Sequence, residues 1–128
     1  MENIFSEPLP EGCPPLEARA PLDEGFFRLA DSFPPTEMDF QSQKKKQPNR
    51  IFKCSECRAL ALSIYKHKQE CENLKSLSKA FRKKVAVKVS LNQNSGLVLH
   101  TPEDGPTHHD WWMLREFNPI PYCAVSDV

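Results

Sequence analysis

The sequence predicts a small α+β domain over residues 49–128, in which one long helix packs on an antiparallel β-hairpin and a Trp-rich C-terminal segment covers the edge. Three observations predict it. Residues 55–84 contain no Gly or Pro, an alternating apolar stretch follows them, and most of the 12 prolines lie outside the middle third of the chain. A chain of 128 residues is long enough for one modest domain.

Residues 1–48 are predicted to be a disordered, acidic, Pro-rich leader that ends in a basic linker. Proline recurs too often there for a helix or a central strand, and apolar residues are few. The exception is "DEGFFRLADSF", in which Phe26, Phe27 and Phe33 stand among acidic residues. Such a segment folds into a groove, either of a partner protein or of its own domain, and the sequence leaves both alternatives open. "QSQKKKQPNR" is predicted to be a solvated hinge, although its lysines also fit a short nuclear-targeting signal.

The chain from Ser55 to Lys84 is predicted to form one continuous helix. Good helix formers dominate it, and Ser55 is the expected N-cap. Residues recur at steps of three and four along one face, namely Leu60, Ile64, His67, Cys71, Leu74, Ser78 and Phe81.

An antiparallel hairpin is predicted over residues 85–101. Val85, Val87, Val89 and Leu91 alternate with smaller or polar residues, as in a half-buried strand. The turn formers "NQNSG" precede a second apolar strand, "LVLHT". The long helix is expected to lay its apolar face on this hairpin.

The C-terminal segment is predicted to form a helical turn at "TPEDGP" and then a short helix at "THHDWWMLREF". Its large apolar side chains would form a lid on the small core; they are Trp111, Trp112, Leu114 and Phe117.

The formal net charge of zero hides a strong segregation of charge. Residues 1–43 carry nine acidic residues and two arginines, a net charge of −7. Residues 44–90 carry fourteen basic and three acidic residues, a net charge of +11, and residues 91–128 carry five acidic residues and one arginine, a net charge of −4. The basic middle predicts an anionic partner, which is a nucleic acid, an acidic protein or the chain's own acidic ends.

One flank of the predicted helix carries the residues that would contact such a partner. They are Lys68, Lys75, Lys79, Arg82 and Lys83. A basic flank can follow a phosphate backbone, although no aromatic residue lies on the same flank of the helix for base stacking. The first functional hypothesis is therefore a non-enzymatic binding module for an anionic partner.

The spacing C-x2-C-x9-H-x3-C, formed by Cys54, Cys57, His67 and Cys71, raises the question of a zinc site. On one continuous helix, Cys57 and Cys71 would lie about 21 Å apart, too far to bind one ion. The set converges only if "ALALSIY" is a strand instead.

Other roles for the same cysteines stay open. Cys54 and Cys57 can bind zinc with one of His108, His109 or Cys123. They can also act as a redox pair at a helix N-terminus. In the simplest alternative, Cys57 and Cys71 are small apolar residues packed under the helix.

"HTPEDGPTHHDWW" combines histidines, acidic residues and tryptophans within a short segment. His108 or His109 with Asp110 has the residue types of general acid–base or metal-assisted catalysis. A small His-dependent enzyme or toxin-like protein is therefore the second hypothesis. No G-x-S-x-G motif or phosphate-binding glycine loop supports it.

An adaptor that captures a partner protein through "DEGFFRLADSF" is the third hypothesis. The expected location is intracellular, either cytoplasmic or, in a eukaryote, nuclear. The chain contains no apolar run long enough to span a membrane, and its N-terminus lacks the pattern of a secretory signal. Five cysteines, an odd number, are then expected to stay reduced.

Overall fold

The computed structural model describes residues 4–125, which contain a six-stranded antiparallel sheet in the order β4-β5-β2-β1-β3-β6. The strands are β1 (Glu24–Ala30), β2 (Leu62–Tyr65), β3 (Val85–Leu91), β4 (Gly96–His100), β5 (His108–Met113) and β6 (Cys123–Val125). Three short α-helices accompany them, namely α1 (Gln43–Lys46), α2 (Glu56–Ala59) and α3 (Lys68–Leu77). None of the helices among these residues is both long and apolar enough to cross a membrane.

The predicted fold class, one long helix packed on a hairpin, is therefore wrong. Ser55 caps a helix as predicted, since its Oγ accepts a hydrogen bond from the Arg58 N–H at 3.3 Å, but that helix ends at Ala59. The next residues form β2, in which Leu62 and Ile64 are buried. Pairing of β2 with β5 at four positions supplies backbone hydrogen bonds and burial that override the local helix propensity.

The predicted hairpin is also wrong, although both of its strands exist. The sheet pairs β3 with β1 and β6, whereas β4 pairs with β5. In a flat sheet, β3 and β4 would lie four strand spacings apart, about 19 Å at 4.8 Å each. A tight turn nevertheless joins them, with the Ser95 N–H donating to the Asn92 carbonyl at 3.0 Å. The sheet must therefore curl, and its concave face encloses the core.

The leader that was predicted to be disordered supplies a central strand. Residues 24–30 form β1 between β2 and β3, and Phe26 is fully buried. Glu7 accepts hydrogen bonds from the backbone N–H of Ser42 at 2.8 Å and from its hydroxyl at 2.5 Å. The Arg19 backbone bonds to Val98 on β4. The leader therefore contacts the sheet at several separate points.

The Trp-rich segment is a strand and not a helical lid. It forms β5, which lies inside the sheet between β4 and β2. Trp111 and Trp112 are both buried, and their indole N–H groups donate to the carbonyls of Ser95 at 3.1 Å and Cys57 at 3.0 Å. The predicted turn at residues 101–106 is present as a 3₁₀ helix over Pro102–Asp104.

Two apolar clusters hold the sheet together. The larger one fills the concave face and joins Phe26, Phe40, Leu62, Ile64, Val89, Leu91, Val98, Trp111 and Phe117. The smaller one lies between α3 and the convex face, where Cys71 contacts Tyr65 and Ala86. The large cluster fixes the register of β2, since a shift by one residue would move Leu62 and Ile64 out of the concave face.

Candidate functional site

Strands β2 and β5 present a row of polar side chains on the convex face of the sheet. Their register places Ser63 opposite Asp110 and Tyr65 opposite His108. Because side chains alternate along a strand, Leu62, Ile64 and Trp111 point into the core instead. The pairing therefore gathers a hydroxyl, a phenol, an imidazole and a carboxylate on one patch.

His108 is the most constrained of these side chains. Its Nε2 lies 3.0 Å from the Ser63 hydroxyl and its Nδ1 lies 2.6 Å from the Thr101 hydroxyl. The Tyr65 ring packs against it edge to face, with centroids 5.1 Å apart. Burial lowers the pKa of His108 below its ordinary value. The imidazole is therefore neutral at neutral pH.

Arg58 from α2 closes one side of the patch. Its Nε donates to Asp110 at 2.8 Å, its Nη1 lies 3.3 Å from Glu103, and its Nη2 pairs with Asp104. Burial raises the pKa of Asp110, and the hydrogen bond and charge of Arg58 oppose that shift. Arg58 thus anchors α2 to β5 and to the 3₁₀ turn after β4.

The space between α2 and this patch is a surface cleft of about 260 Å³, called the α2 cleft below. It is lined by Gln43, Arg50, Phe52, Cys54, Arg58, Ala59, Ala61, Ser63, Tyr65, Asp104, His108 and Asp110.

His109 belongs to the opposite face, although the sequence offered His108 and His109 as equivalent candidates. Its Nδ1 lies 2.9 Å from the Thr107 carbonyl, and its ring stacks on His100 and meets Phe26 edge to face, with centroids 5.0 and 5.1 Å away. Burial lowers the pKa of His109 as well. The structure therefore brings His108 and Asp110 together in the α2 cleft and places His109 elsewhere.

The five basic residues that the sequence assigned to one helix flank lie on two elements. Lys68 and Lys75 belong to α3, where both are half-buried and Lys75 pairs with Glu72 at 3.7 Å. Lys79, Arg82 and Lys83 follow the end of α3 and are exposed. The strongest concentration of exposed positive charge is therefore in the segment after α3.

Helix α1 brings a second basic segment to the same region. Lys84 pairs with Asp31 at 2.6 Å. Burial lowers the pKa of Lys46, the charges of Arg28 and Lys84 lower it further, and Asp31 and Asp39 oppose the shift. Lys46 therefore lies close enough to Lys84 and Asp31 to feel both charges, so the presumed hinge is part of a larger basic region.

The cysteines divide between one disulfide and three free thiols in the described residues. Cys13 and Cys57 form a disulfide, so the expectation of reduced cysteines is wrong for this pair. Cys54 is exposed, Cys71 is buried under α3 and Cys123 is half-buried. Within residues 4–125, no three His, Cys, Asp or Glu side chains are arranged to hold a metal ion, and Cys57 has no thiolate to offer zinc while it is bonded to Cys13.

No protein-family model, curated protein or solved structure matches the chain. Any functional assignment therefore rests on the chemistry of its own side chains.

Sequence reasoning missed the polar partners of His108 and Asp110, namely Ser63 and Thr101 beside His108 and Arg58 beside Asp110. Ser63 looked like a polar residue within a helix, and Arg58 like one charge of a basic middle segment. His108 and Ser63 are 45 positions apart, and Arg58 and Asp110 are 52 apart. The sequence signal that could have indicated strand β2 was the alternation in "LSIY", but four residues are too few to distinguish a strand from a helix.

Proposed function

We propose that the protein is a binding module for the phosphate backbone of a nucleic acid. Its contact surface, called the basic surface below, consists of Lys44, Lys45, Lys46, Lys79, Arg82 and Lys83. The observation that carries the proposal is the group of exposed cations after α3, Lys79, Arg82 and Lys83, and a second lysine segment, residues 44–46, adds to the positive charge.

Charge is the main argument for an anionic partner. Among the salt bridges of residues 4–125, none involves the six side chains of the basic surface. Like charges held close together repel each other, and a bound polyanion relieves that repulsion while releasing its counterions. Asp31, an acidic side chain next to this surface, is already paired with Lys84.

Composition favours a phosphate backbone over an acidic protein. Protein interfaces are anchored by buried aromatic, Met and Arg side chains and are depleted in Lys, whereas five of the six members of the basic surface are lysines. A phosphate backbone requires only positioned cations, which give affinity without sequence specificity. The acidic–aromatic segment is a weaker candidate for partner capture, because β1 already buries Phe26 inside the sheet.

The test measures binding of the full chain to a fluorescent DNA duplex and to an RNA of equal length as salt is raised. The double variant Lys79→Glu/Lys83→Glu should bind at least tenfold more weakly, and its log–log salt slope should fall by about 2, since each phosphate contact contributes about 0.9. The matched control, Lys53→Glu/Lys88→Glu, changes the net charge equally at exposed positions outside the basic surface.

Equal loss in the test and control variants would show that net charge alone drives binding, which contradicts the proposal. Binding of acidic polypeptides without binding of DNA or RNA would replace the nucleic acid by an acidic protein as the partner.

A further inference from the structure

The α2 cleft contains an exposed serine hydroxyl in contact with a buried imidazole, and the basic surface makes no use of either group. We propose that Ser63 and His108 form a nucleophile–base pair that cleaves a small, uncharged carboxylic ester. This inference is independent of nucleic-acid binding, because it rests on different residues.

Geometry places the two groups within reach of proton transfer. Ser63 is exposed in the middle of β2, whereas both of its strand neighbours are buried. Its Oγ lies 3.0 Å from Nε2 of His108, within the range of about 2.6–3.2 Å that a nucleophile and its general base require. Strand pairing holds both backbones in place.

Thr101 contacts the second ring nitrogen of His108. Its hydroxyl, on a residue only 3% exposed, lies 2.6 Å from Nδ1. The reaction requires the tautomer in which Nδ1–H donates to the Thr101 oxygen, and the proposal includes this direction of the contact. In that tautomer Nε2 carries the free lone pair and faces the Ser63 hydroxyl. Thr101 is a positioning residue, the role that a carboxylate fills in other serine–histidine sites.

Burial keeps His108 in the neutral form, which can accept the proton of Ser63. A neutral imidazole is required to accept a proton, and burial lowers the pKa of this ring. Arg58 on α2 and His109 on β5 lower the pKa further, whereas Asp104 on the 3₁₀ turn and Glu70 on α3 oppose the shift.

The lining of the α2 cleft points to an uncharged substrate. The positive charges of Arg50 and Arg58 are balanced by Asp104 and Asp110, so a phosphate ester gains no net attraction. Phe52, Ala59 and Ala61 add apolar surface for an acyl or alkyl group. A volume of about 260 Å³ is below the usual range of about 300–1,000 Å³ for ligand pockets, which limits the substrate to a small ester.

We assign to Tyr65 the role of hydrogen-bond donor to the carbonyl oxygen of the ester. It lines the same cleft, two residues from Ser63 on the same strand face. Burial raises the pKa of Tyr65, so its hydroxyl stays protonated and able to donate to the developing oxyanion.

In the reaction, the Ser63 oxygen forms a bond to the acyl carbon while its proton passes to Nε2 of His108. The bond between the acyl carbon and the alcohol oxygen then breaks, and His108 returns the proton to the leaving alcohol. Water then attacks the acyl carbon while His108 accepts its proton. The bond between the acyl carbon and the Ser63 oxygen breaks, and His108 passes the proton to that oxygen, which releases the carboxylic acid and restores the Ser63 hydroxyl. No oxidant, metal ion or further reactant is needed.

The test uses the full chain with 4-nitrophenyl acetate and, separately, with a fluorophosphonate probe read by peptide mass spectrometry. The wild-type protein should release nitrophenol and take up the probe at Ser63. Ser63→Ala should lower the rate about 100-fold or more, the range for loss of general base catalysis at a nucleophile. Ser90→Ala is the matched control, since Ser90 is an exposed serine near the end of β3, outside the α2 cleft.

Two further variants separate catalysis from folding. His108→Gln and Thr101→Val should each lower the rate and the labelling of Ser63, with circular dichroism confirming the folded sheet. Wild-type labelling of Ser63 is itself diagnostic even if a buried variant fails to fold. An unchanged rate in Ser63→Ala, or probe spread over Ser90 and other hydroxyls without preference for Ser63, would overturn the proposal.

Discussion

Arg28 shows how a single buried charge organises this small protein. Its Nε donates to the Asp39 carbonyl and its Nη1 to the Ser63 carbonyl, both at 2.8 Å. The guanidinium also lies 5.9 Å from the Phe40 ring centroid, and burial lowers its pKa to about 10. Each donor satisfies a backbone carbonyl, which offsets part of the cost of burying a cation. Because Arg28 holds the backbone of Ser63, it also fixes the hydroxyl that we propose as a nucleophile.

Glu24 is the residue at which pH should act on stability. It accepts hydrogen bonds from Arg19 at 2.6 and 3.0 Å, from Lys66 at 2.7 Å and from the Leu22 N–H at 3.0 Å. The hydrogen bond from Arg19 is the largest of the effects that hold the pKa of Glu24 far below its ordinary value of 4.5, and burial opposes it. A carboxylate with a depressed folded-state pKa stabilises the fold above the ordinary pKa, and this contribution is lost as pH falls through the folded-state value.

We therefore expect the melting temperature to fall as the pH drops below about 4.5, and Glu24→Gln to flatten part of that dependence. Thermal unfolding followed by circular dichroism from neutral pH to strongly acidic pH measures the effect. Glu11→Gln, at an exposed position, is the control and should keep the wild-type profile. Identical acid profiles for Glu24→Gln and the wild-type protein would contradict this role of Glu24.

At the scale of elements, some of the predicted strands and helices exist and others do not. Strand β3 was predicted from alternation, which marks a strand with one buried face, and β4 from an apolar run after a turn. Part of the predicted helix exists as α3, Lys68–Leu77. Strand β5 was missed because His108 to Trp112 are all buried, so no alternation marks the strand in "HHDWWM".

The order in which the strands pair could not be predicted from local sequence, for a different reason. A hairpin is the default connection between two adjacent strands, and the "NQNSG" turn supported it. The competing partner for β3 was β1, which pairs with it at seven positions. Prolines on both sides of β1, at Pro21 and Pro34, made its region look disordered. The prediction therefore did not include β1, the strand that pairs with β3 in place of β4.

The turn between β3 and β4 depends on Gly96. Its φ is +127°, and an added Cβ would lie 2.1 Å from the Trp112 carbonyl oxygen. Gly96→Ala should therefore combine backbone strain with a clash against β5, and lower the free energy of unfolding by more than about 2 kcal/mol.

Gly12→Ala is the matched control, because Gly12 has a φ of +79° but an added Cβ meets nothing within 4 Å. It should show backbone strain alone, about 1 kcal/mol. Urea unfolding of both variants checks the difference, and equal destabilisation would show that the contact with Trp112 is unimportant.

At the scale of the whole molecule, the proposed ester-cleaving site is a product of tertiary structure. The sequence identified His108 and Asp110 by residue type, but their partners Ser63 and Arg58 come from β2 and α2. It likewise identified Lys79 and Lys83, whereas the charge interaction of Lys46 on α1 with Lys84 arises only from the fold. The sequence shows which residue types are present. Which of them lie together in space can be determined only once the strand order is known.

The disulfide between Cys13 and Cys57 is the longest covalent constraint on that arrangement among the described residues, with a sequence separation of 44. It ties the leader to α2, whose Cys57 carbonyl accepts from Trp112 and whose Arg58 binds Asp110. Closing a loop of this length in the unfolded chain corresponds to about 4 kcal/mol in the chain-entropy model. Cys13→Ser should therefore lower the free energy of unfolding by up to about 4 kcal/mol, measured by urea unfolding.

The same experiment on the wild-type protein with a reducing agent should reproduce the midpoint of Cys13→Ser, and Cys54→Ser should leave the oxidised wild-type midpoint unchanged because Cys54 is a free, exposed thiol. A reductant that leaves the wild-type midpoint unchanged would show that the bond contributes nothing to stability.

Reduction should also weaken fluorophosphonate labelling of Ser63, because α2 forms one wall of the α2 cleft. Nucleic-acid binding by the basic surface, which does not include α2, should be retained. Loss of both activities together would instead indicate that reduction unfolds the whole sheet.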